Sequence, residues 1–177
     1  MTDVELRAIA KDIKLVAFDV DGVMTDGSLT FTENGMEIKT YDAKDGLGVV
    51  MLNRAGIITS IITARNNNTV KVRAEILDIK ELHMGQKYKV PALEEIMKKY
   101  NLDYTQVAYM GDDLPDICVL ERVGLRCCPN DAVDEVKKVC NFICDKTGGK
   151  GAVRELCDFI LKSKGITYAD VAHPHQQ

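Results

Sequence analysis

Asp19 and Asp21 stand one residue apart at the end of the apolar run Leu15-Val16-Ala17-Phe18, and Gly22 follows them. Two carboxylates so placed repel each other unless a cation or a shared proton compensates. One reading is a metal-assisted site centred on this pair. The other is a strand entering an ordinary turn, because Asp and Gly favour turns in their own right. Two more apolar runs end in comparable chemistry. Residues 57–62 lead into Thr63-Ala64-Arg65, and residues 107–110 lead into Gly111-Asp112-Asp113, with Asp116 one helical turn later. Singly, Thr63, Asp112 and Asp113 read as helix caps. Together, acids for a cation and a hydroxyl and guanidinium for an anion make one candidate site, provided that all three ends open on the same rim.

The elements between them meet that condition. Apolar runs bounded by turn residues read as buried parallel strands, expected at residues 14–20, 57–62, 81–84 and 107–110. Shorter strands are expected at 125–127 and 141–144. Helical periodicity falls at 3–11, 46–53, 68–77, 91–100, 114–123, 132–139 and 152–162. Alternating strands and helices specify an α/β fold with a doubly wound, Rossmann-like parallel sheet, which binds ligands at the carboxyl ends of its strands. A hairpin interrupts the first strand-to-helix step at about residues 28–41, signalled by Asn34-Gly35 between β-prone segments. Residues 148–151, Gly-Gly-Lys-Gly, read as a flexible joint, and about residues 165–177 as a loosely ordered tail. With no repeat and no linker, residues 1–177 read as a single domain.

Lys89 stands just before Pro91, where a helix is expected to begin. The helix dipole disfavours a cation there by about 0.3–1 kcal/mol, so an anionic site should compensate it. Lys87 competes for the same role, with plain solvation as its alternative.

At 177 residues, 46% apolar and 28% charged, the chain can bury a substantial core and is not of disordered composition. A net charge of −4 without a basic block argues against nucleic acid as main partner, yet a local field in a cleft still admits an anionic small molecule. Residues 1–11 are charged and lack the apolar core of a secretory signal, and no apolar run is long enough for a bilayer. A cytoplasmic setting with no membrane partner is expected. Six cysteines (Cys118, Cys127, Cys128, Cys140, Cys144 and Cys157) lie in the last third without a C-x-x-C pair, which suits reduced core residues better than a zinc site. His83 is the one histidine within the expected fold; His173 and His175, in the tail, support no catalytic triad.

The order Asp19-Val-Asp21-Gly22-Val-Met-Thr25-Asp26-Gly27, then Thr63, then a lysine, then Gly111-Asp112-Asp113-x-x-Asp116 resembles the four motifs of the haloacid dehalogenase superfamily, over roughly residues 13 to 162. The hairpin, Asp42-Ala-Lys-Asp45-Gly46, Ile61-Ile-Thr-Ala-Arg65, Gly85-Gln86-x-x-Lys89 and Gly148-Gly-Lys-Gly-Ala-Val-Arg154-Glu155 resemble the 3-deoxy-D-manno-octulosonate 8-phosphate phosphatases within it. Lys44 stands where members often carry arginine, Ala64 where they often carry glycine, and Pro115 at a position that varies. The resemblance selects Lys89 over Lys87, because the family's lysine follows Gly-Gln by three residues.

It implies a phosphatase acting in lipopolysaccharide precursor biosynthesis through an aspartyl-phosphate intermediate. Asp19 would be the nucleophile and Asp21 the acid and base. Thr63 and Lys89 would bind the phosphoryl group. Mg²⁺ would be held by the Asp19 carboxylate, the Asp21 carbonyl and the Asp112 carboxylate, with Asp113 and Asp116 orienting waters or Lys89. Lys44, Arg65 and Arg154 are candidates for the sugar-acid carboxylate. The chain has no room for a large cap domain, so the hairpin is the expected lid, and a homotetramer is implied in which each hairpin helps close a neighbour's site. Rival readings are a nine-carbon sugar acid 9-phosphate as substrate, a phosphotransferase such as a phosphomutase, and a non-catalytic partner domain of the same fold.

Overall fold

The computed structural model describes residues 1–172. In chain order its elements are α1 (Asp3–Asp12), β1 (Leu15–Phe18), β2 (Thr30–Phe31), β3 (Glu37–Ile38), α2 (Ala43–Arg54), β4 (Ile58–Ile62), α3 (Asn68–Ile76), β5 (Glu81–His83), α4 (Lys89–Tyr100), β6 (Val107–Met110), α5 (Ile117–Leu120), β7 (Leu125–Cys128), α6 (Asp134–Val139), β8 (Phe142–Ile143), α7 (Ala152–Ser163) and α8 (Tyr168–Ala172). Six strands form one sheet in the order β5-β4-β1-β6-β7-β8, every pair parallel.

β1 is buried along its whole length because the sheet is covered on both faces. Val16 and Phe18 pack with Val49 and Leu52 of α2 and Leu156 and Ile160 of α7, whereas Leu15 and Ala17 pack with Leu93 and Ile96 of α4 and Val119 of α5. A strand apolar on both faces carries no polar alternation, and that is the run seen in the sequence. From β1 the chain winds outward through β4 and β5, then returns to β1's other side for β6, β7 and β8. The reversal leaves a crevice at the carboxyl ends of β1, β4 and β6.

Several boundaries differ from expectation for local reasons. α2 starts at residue 43 rather than 46, because the Asp42 carboxylate caps it by accepting from the Lys44 and Asp45 N–H groups. α4 starts at Lys89 itself, and Pro91 falls in the first turn, where a missing N–H costs nothing. Residues 114–123 are not one helix but a 3₁₀ turn, Leu114–Asp116, running into α5. The hairpin is a three-residue connection: Gly35 N–H donates to Thr32 O, Thr32 N–H donates to Met36 O, and Gly35 alone takes a positive φ, of 75°. A two-residue Asn-Gly turn would need Asn34 there as well.

Residues 148–151 are a packed buttress rather than a flexible joint. Gly148 N–H donates to Asp131 Oδ1 (2.9 Å), Gly149 N–H to the Val23 carbonyl (2.9 Å) and Gly151 N–H to Asp45 Oδ2 (3.3 Å). A methyl group on Gly148 would overlap the Gly22 carbonyl oxygen. The loose tail expected from residue 165 is likewise corrected in part. Val171, in α8, is 2% exposed in the core, and its carbonyl accepts from Arg54 Nη1 at 2.9 Å. The rest of that tail, with His173 and His175, lies outside the described residues.

Gly148→Ala should therefore push residues 148–151 away from the loop carrying Asp21. Overpacking of this kind costs about 1–3 kcal/mol; calorimetry should show a lowered melting temperature.

Candidate active site

The site is assembled around the Lys89 side chain, which is 2% exposed. Its ammonium donates to Asp116 Oδ1 at 2.7 Å and lies 2.9 Å from Asp19 Oδ2. Burial pulls the ammonium's pKa down, but the Asp19 and Asp116 charges outweigh this and hold it above the ordinary lysine value. Asp116 is saturated. Its Oδ1 also accepts from the Tyr109 hydroxyl (2.6 Å), and its Oδ2 accepts from the Asp112 and Asp113 N–H groups (3.0 and 3.3 Å). Asp116 thus fixes both Lys89 and the backbone that carries Asp112. Asp113 is exposed, and its Oδ1 accepts from Leu114 N–H at 2.7 Å, capping the 3₁₀ turn.

Asp19 directly follows β1, and its N–H continues the ladder by donating to Met110 O at 3.0 Å. That bond aligns the β1 and β6 ends, so that Asp19 stands beside the segment carrying Asp112. Gly22, at φ 79°, faces Asp112 so closely that any side chain there would collide with the carboxylate. Thr63, after β4, is 2% exposed and is fixed at both backbone ends, N–H to His83 O and O from Gln86 N–H. Asp19, Asp21, Thr63, Arg65, Lys89 and Asp112 line one cavity of about 380 Å³. The three strand ends do open on one rim.

Carboxylate oxygens of Asp19, Asp112 and Asp116 lie within 4.8 Å of one another. Burial raises the pKa of Asp112 to about 8, with the charges of Asp116 and Asp19 adding to it. Burial likewise lifts Asp19 to about 6 against the pull of Lys89. Crowded acids that the protein's own cations leave undercompensated fit a divalent cation with oxygen ligands. Since Asp116 has spent its acceptors, Asp19 and Asp112 are the carboxylates free to hold it.

The comparisons with known proteins agree with this chemistry. The model of the haloacid dehalogenase-like hydrolases matches residues 57–156. The 3-deoxy-D-manno-octulosonate 8-phosphate phosphatase of Escherichia coli is 37% identical over 91% of this chain and 86% of its own length. The chain belongs to the haloacid dehalogenase-like hydrolases. Among solved structures of these hydrolases, the 3-deoxy-D-manno-octulosonate 8-phosphate phosphatase of Moraxella catarrhalis, in complex with magnesium ion, phosphate ion and the sugar acid, aligns with a TM-score of 0.93. It is 38% identical and covers 98% of this chain and 100% of that one. The Yersinia pestis enzyme of the same name aligns at 0.89, with 37% identity over 91% and 87% of the two chains.

In this hydrolase Arg65 is the one of the three carboxylate-binding candidates that reaches the Asp19 cavity. Lys44 and Arg154 line a separate, larger cavity of about 680 Å³ beside α1 and α7. Arg154 is occupied there: its Nε donates to Asp158 at 2.8 Å, and its guanidinium lies over the Tyr168 ring. Asp21 differs from expectation too. It lines the cavity with the other acids, but its carboxylate turns to Lys39, with Arg65 Nε at 3.5 Å and the Glu37 carboxylate on the same two cations. Lys39, Glu37 and Tyr109 are the functional side chains that the sequence reading missed. A period-two reading of the hairpin finds the first two, because Met36 and Ile38 alternate with them. Nothing in the run Val-Ala-Tyr-Met marks Tyr109 as more than core.

Tyr109→Phe keeps the volume and removes one donor from a buried carboxylate. A cost of about 1–3 kcal/mol is expected, read as a lower urea midpoint with an unchanged slope, and turnover should fall as Lys89 loosens.

Proposed function

We propose that this chain is a magnesium-dependent phosphatase that hydrolyses 3-deoxy-D-manno-octulosonate 8-phosphate to the free sugar acid and phosphate. The observation that carries this reading is the Asp19 carboxylate beside a buried lysine and a buried threonine in one open cavity. Phosphoryl transfer needs little more than an in-line nucleophile and fixed positive charge around the equatorial oxygens. Asp19 supplies the nucleophilic oxygen and forms an aspartyl phosphate, which splits hydrolysis into two easier transfers. Lys89 and Thr63 bind the phosphoryl oxygens. Asp21 protonates the leaving sugar oxygen, then takes a proton from the water that attacks the intermediate. Asp19, Asp112 and the Asp21 carbonyl would hold the magnesium ion, which when bound neutralises charge on the phosphoryl group. Asp116 holds Lys89 in line, and Asp113 shapes the rim. Arg65 stands where the far end of an anionic sugar would enter the cavity.

The hairpin supports assembly into a homotetramer. β2 and β3 pair over two residues each, too little to be stable alone, and Leu29, Phe31, Met36 and Ile38 are each about half exposed or more. Burying one such side chain gains about 1.5–3 kcal/mol, so pairing with a second copy offsets the hairpin's ordering cost. In an assembly, Lys44 and Arg154 could meet a neighbour's substrate. No helix among the described residues is long and apolar enough to cross a membrane, which supports the cytoplasmic reading.

A panel of sugar phosphates, assayed for phosphate release with Mg²⁺ and with chelator, tests the reaction. Selective turnover of the eight-carbon keto-acid phosphate is expected, abolished by chelator and by Asp19→Asn. Equal turnover of unrelated phosphates, or a folded and active Asp19→Asn, would overturn the assignment. Light scattering should give four times the chain mass, and Phe31→Asp with Ile38→Asp should lower both mass and turnover. A fully active monomer would exclude a shared site.

A further inference from the structure

Lys39 is buried although it leaves an exposed hairpin; its side chain is 1% accessible. Glu37 and Lys39 are two residues apart on an extended segment and so face the same way, toward the site, while Met36 and Ile38 face outward. The Lys39 ammonium bonds Asp21 Oδ1 and, at 2.6 Å, Glu37 Oε1. Glu37 Oε2 accepts from Asn67 Nδ2 at 3.2 Å and lies 3.5 Å from Arg65 Nη1. Arg65 Nε is 3.5 Å from Asp21 Oδ2. Each oxygen of Asp21 thus faces one cation, and Glu37 joins the two cations to each other. The two contacts are not equal. Arg65 is 44% exposed and stands beyond close hydrogen-bond range, so water competes with it. Lys39 is dry and in contact, so Lys39 decides where the Asp21 carboxylate points. Each carboxylate oxygen has two lone pairs, which leaves one free for a proton.

We infer that Lys39, itself held by Glu37, is a positioning residue for proton transfer at Asp21, so that the hairpin's inner face sets the leaving-group step. The inference rests on the proposed role of Asp21 as acid. In that step the Asp19–phosphorus bond forms as the bond from phosphorus to the leaving oxygen breaks. The electron pair stays on that oxygen, and the proton of Asp21 moves to it. A carboxyl that has lost its orientation fails chiefly where the leaving oxygen is strongly basic, as in an alkyl phosphate. An aryl phosphate with a weakly basic leaving group needs little help.

The test compares first-turnover alcohol release from the sugar acid phosphate with release of p-nitrophenolate from p-nitrophenyl phosphate. First turnover isolates this step from hydrolysis of the intermediate. Lys39→Met should lower the alkyl-to-aryl rate ratio about tenfold or more, within the range that general acid catalysis contributes. Glu37→Gln, a near-isosteric change that disturbs packing less than Lys39→Met, should shift the ratio the same way by less. Asp21→Asn should lower it at least as far as Lys39→Met. If Asp21→Asn lowers the ratio and both hairpin variants keep the wild-type ratio, or lose both substrates equally, Lys39 is structural only and the inference fails. If Asp21→Asn itself leaves the ratio unchanged, the acid role of Asp21 fails, and the inference with it.

Discussion

A single ammonium, that of Lys89, bonds two carboxylates carried by different strand ends, Asp19 after β1 and Asp116 after β6. Removing a lysine from water costs several kcal/mol, and only close, multiple pairing repays it. Here the repayment comes from groups that the chemistry needs anyway. Asp19 is oriented, the Asp112 backbone is tied through Asp116, and positive charge is fixed where a phosphoryl group arrives. The start of α4 is an unfavourable place for a cation, and the two acids explain why one stands there.

The same constraint explains how much was legible in the sequence. A sheet covered on both faces writes its strands as uninterrupted apolar runs, and parallel strands put all their endings on one rim. Asp19, Thr63 and Asp112 could therefore be read as neighbours without knowing the strand order. Lys89 was legible from the electrostatic penalty of its position. Lys44 and Arg154 were not placeable in this way. Both stand at helix starts near the rim, but helices on the α7 face point their first turns into another cavity, and Asp158 takes the Arg154 guanidinium.

The hairpin shows a different limit. Its apolar residues are surface in need of cover, and the charged residues between them, Glu37 and Lys39, carried no signal of their own in the sequence. On a strand of period two those are opposite faces of one object. The outer face is the unsatisfied one. The inner face, Glu37 and Lys39, is already engaged with Asp21 and Arg65. Two short strands are held to the site by ion pairs rather than by a hydrophobic core.

The buttress at residues 148–151 has a consequence for the order in which the molecule matures. The nucleophile loop is among the first segments to leave the ribosome, and the glycines that seat it are among the last. The Gly151–Asp45 bond alone spans 106 positions of chain. Closing so long a loop is entropically expensive and slow compared with local pairing. A nascent chain folded as far as Asp116 would hold Asp19, Asp21, Thr63, Lys89 and Asp112 but not the surface that packs against the Asp21 loop. The loop that carries Asp21 therefore reaches its packed form only once the final third has docked against it.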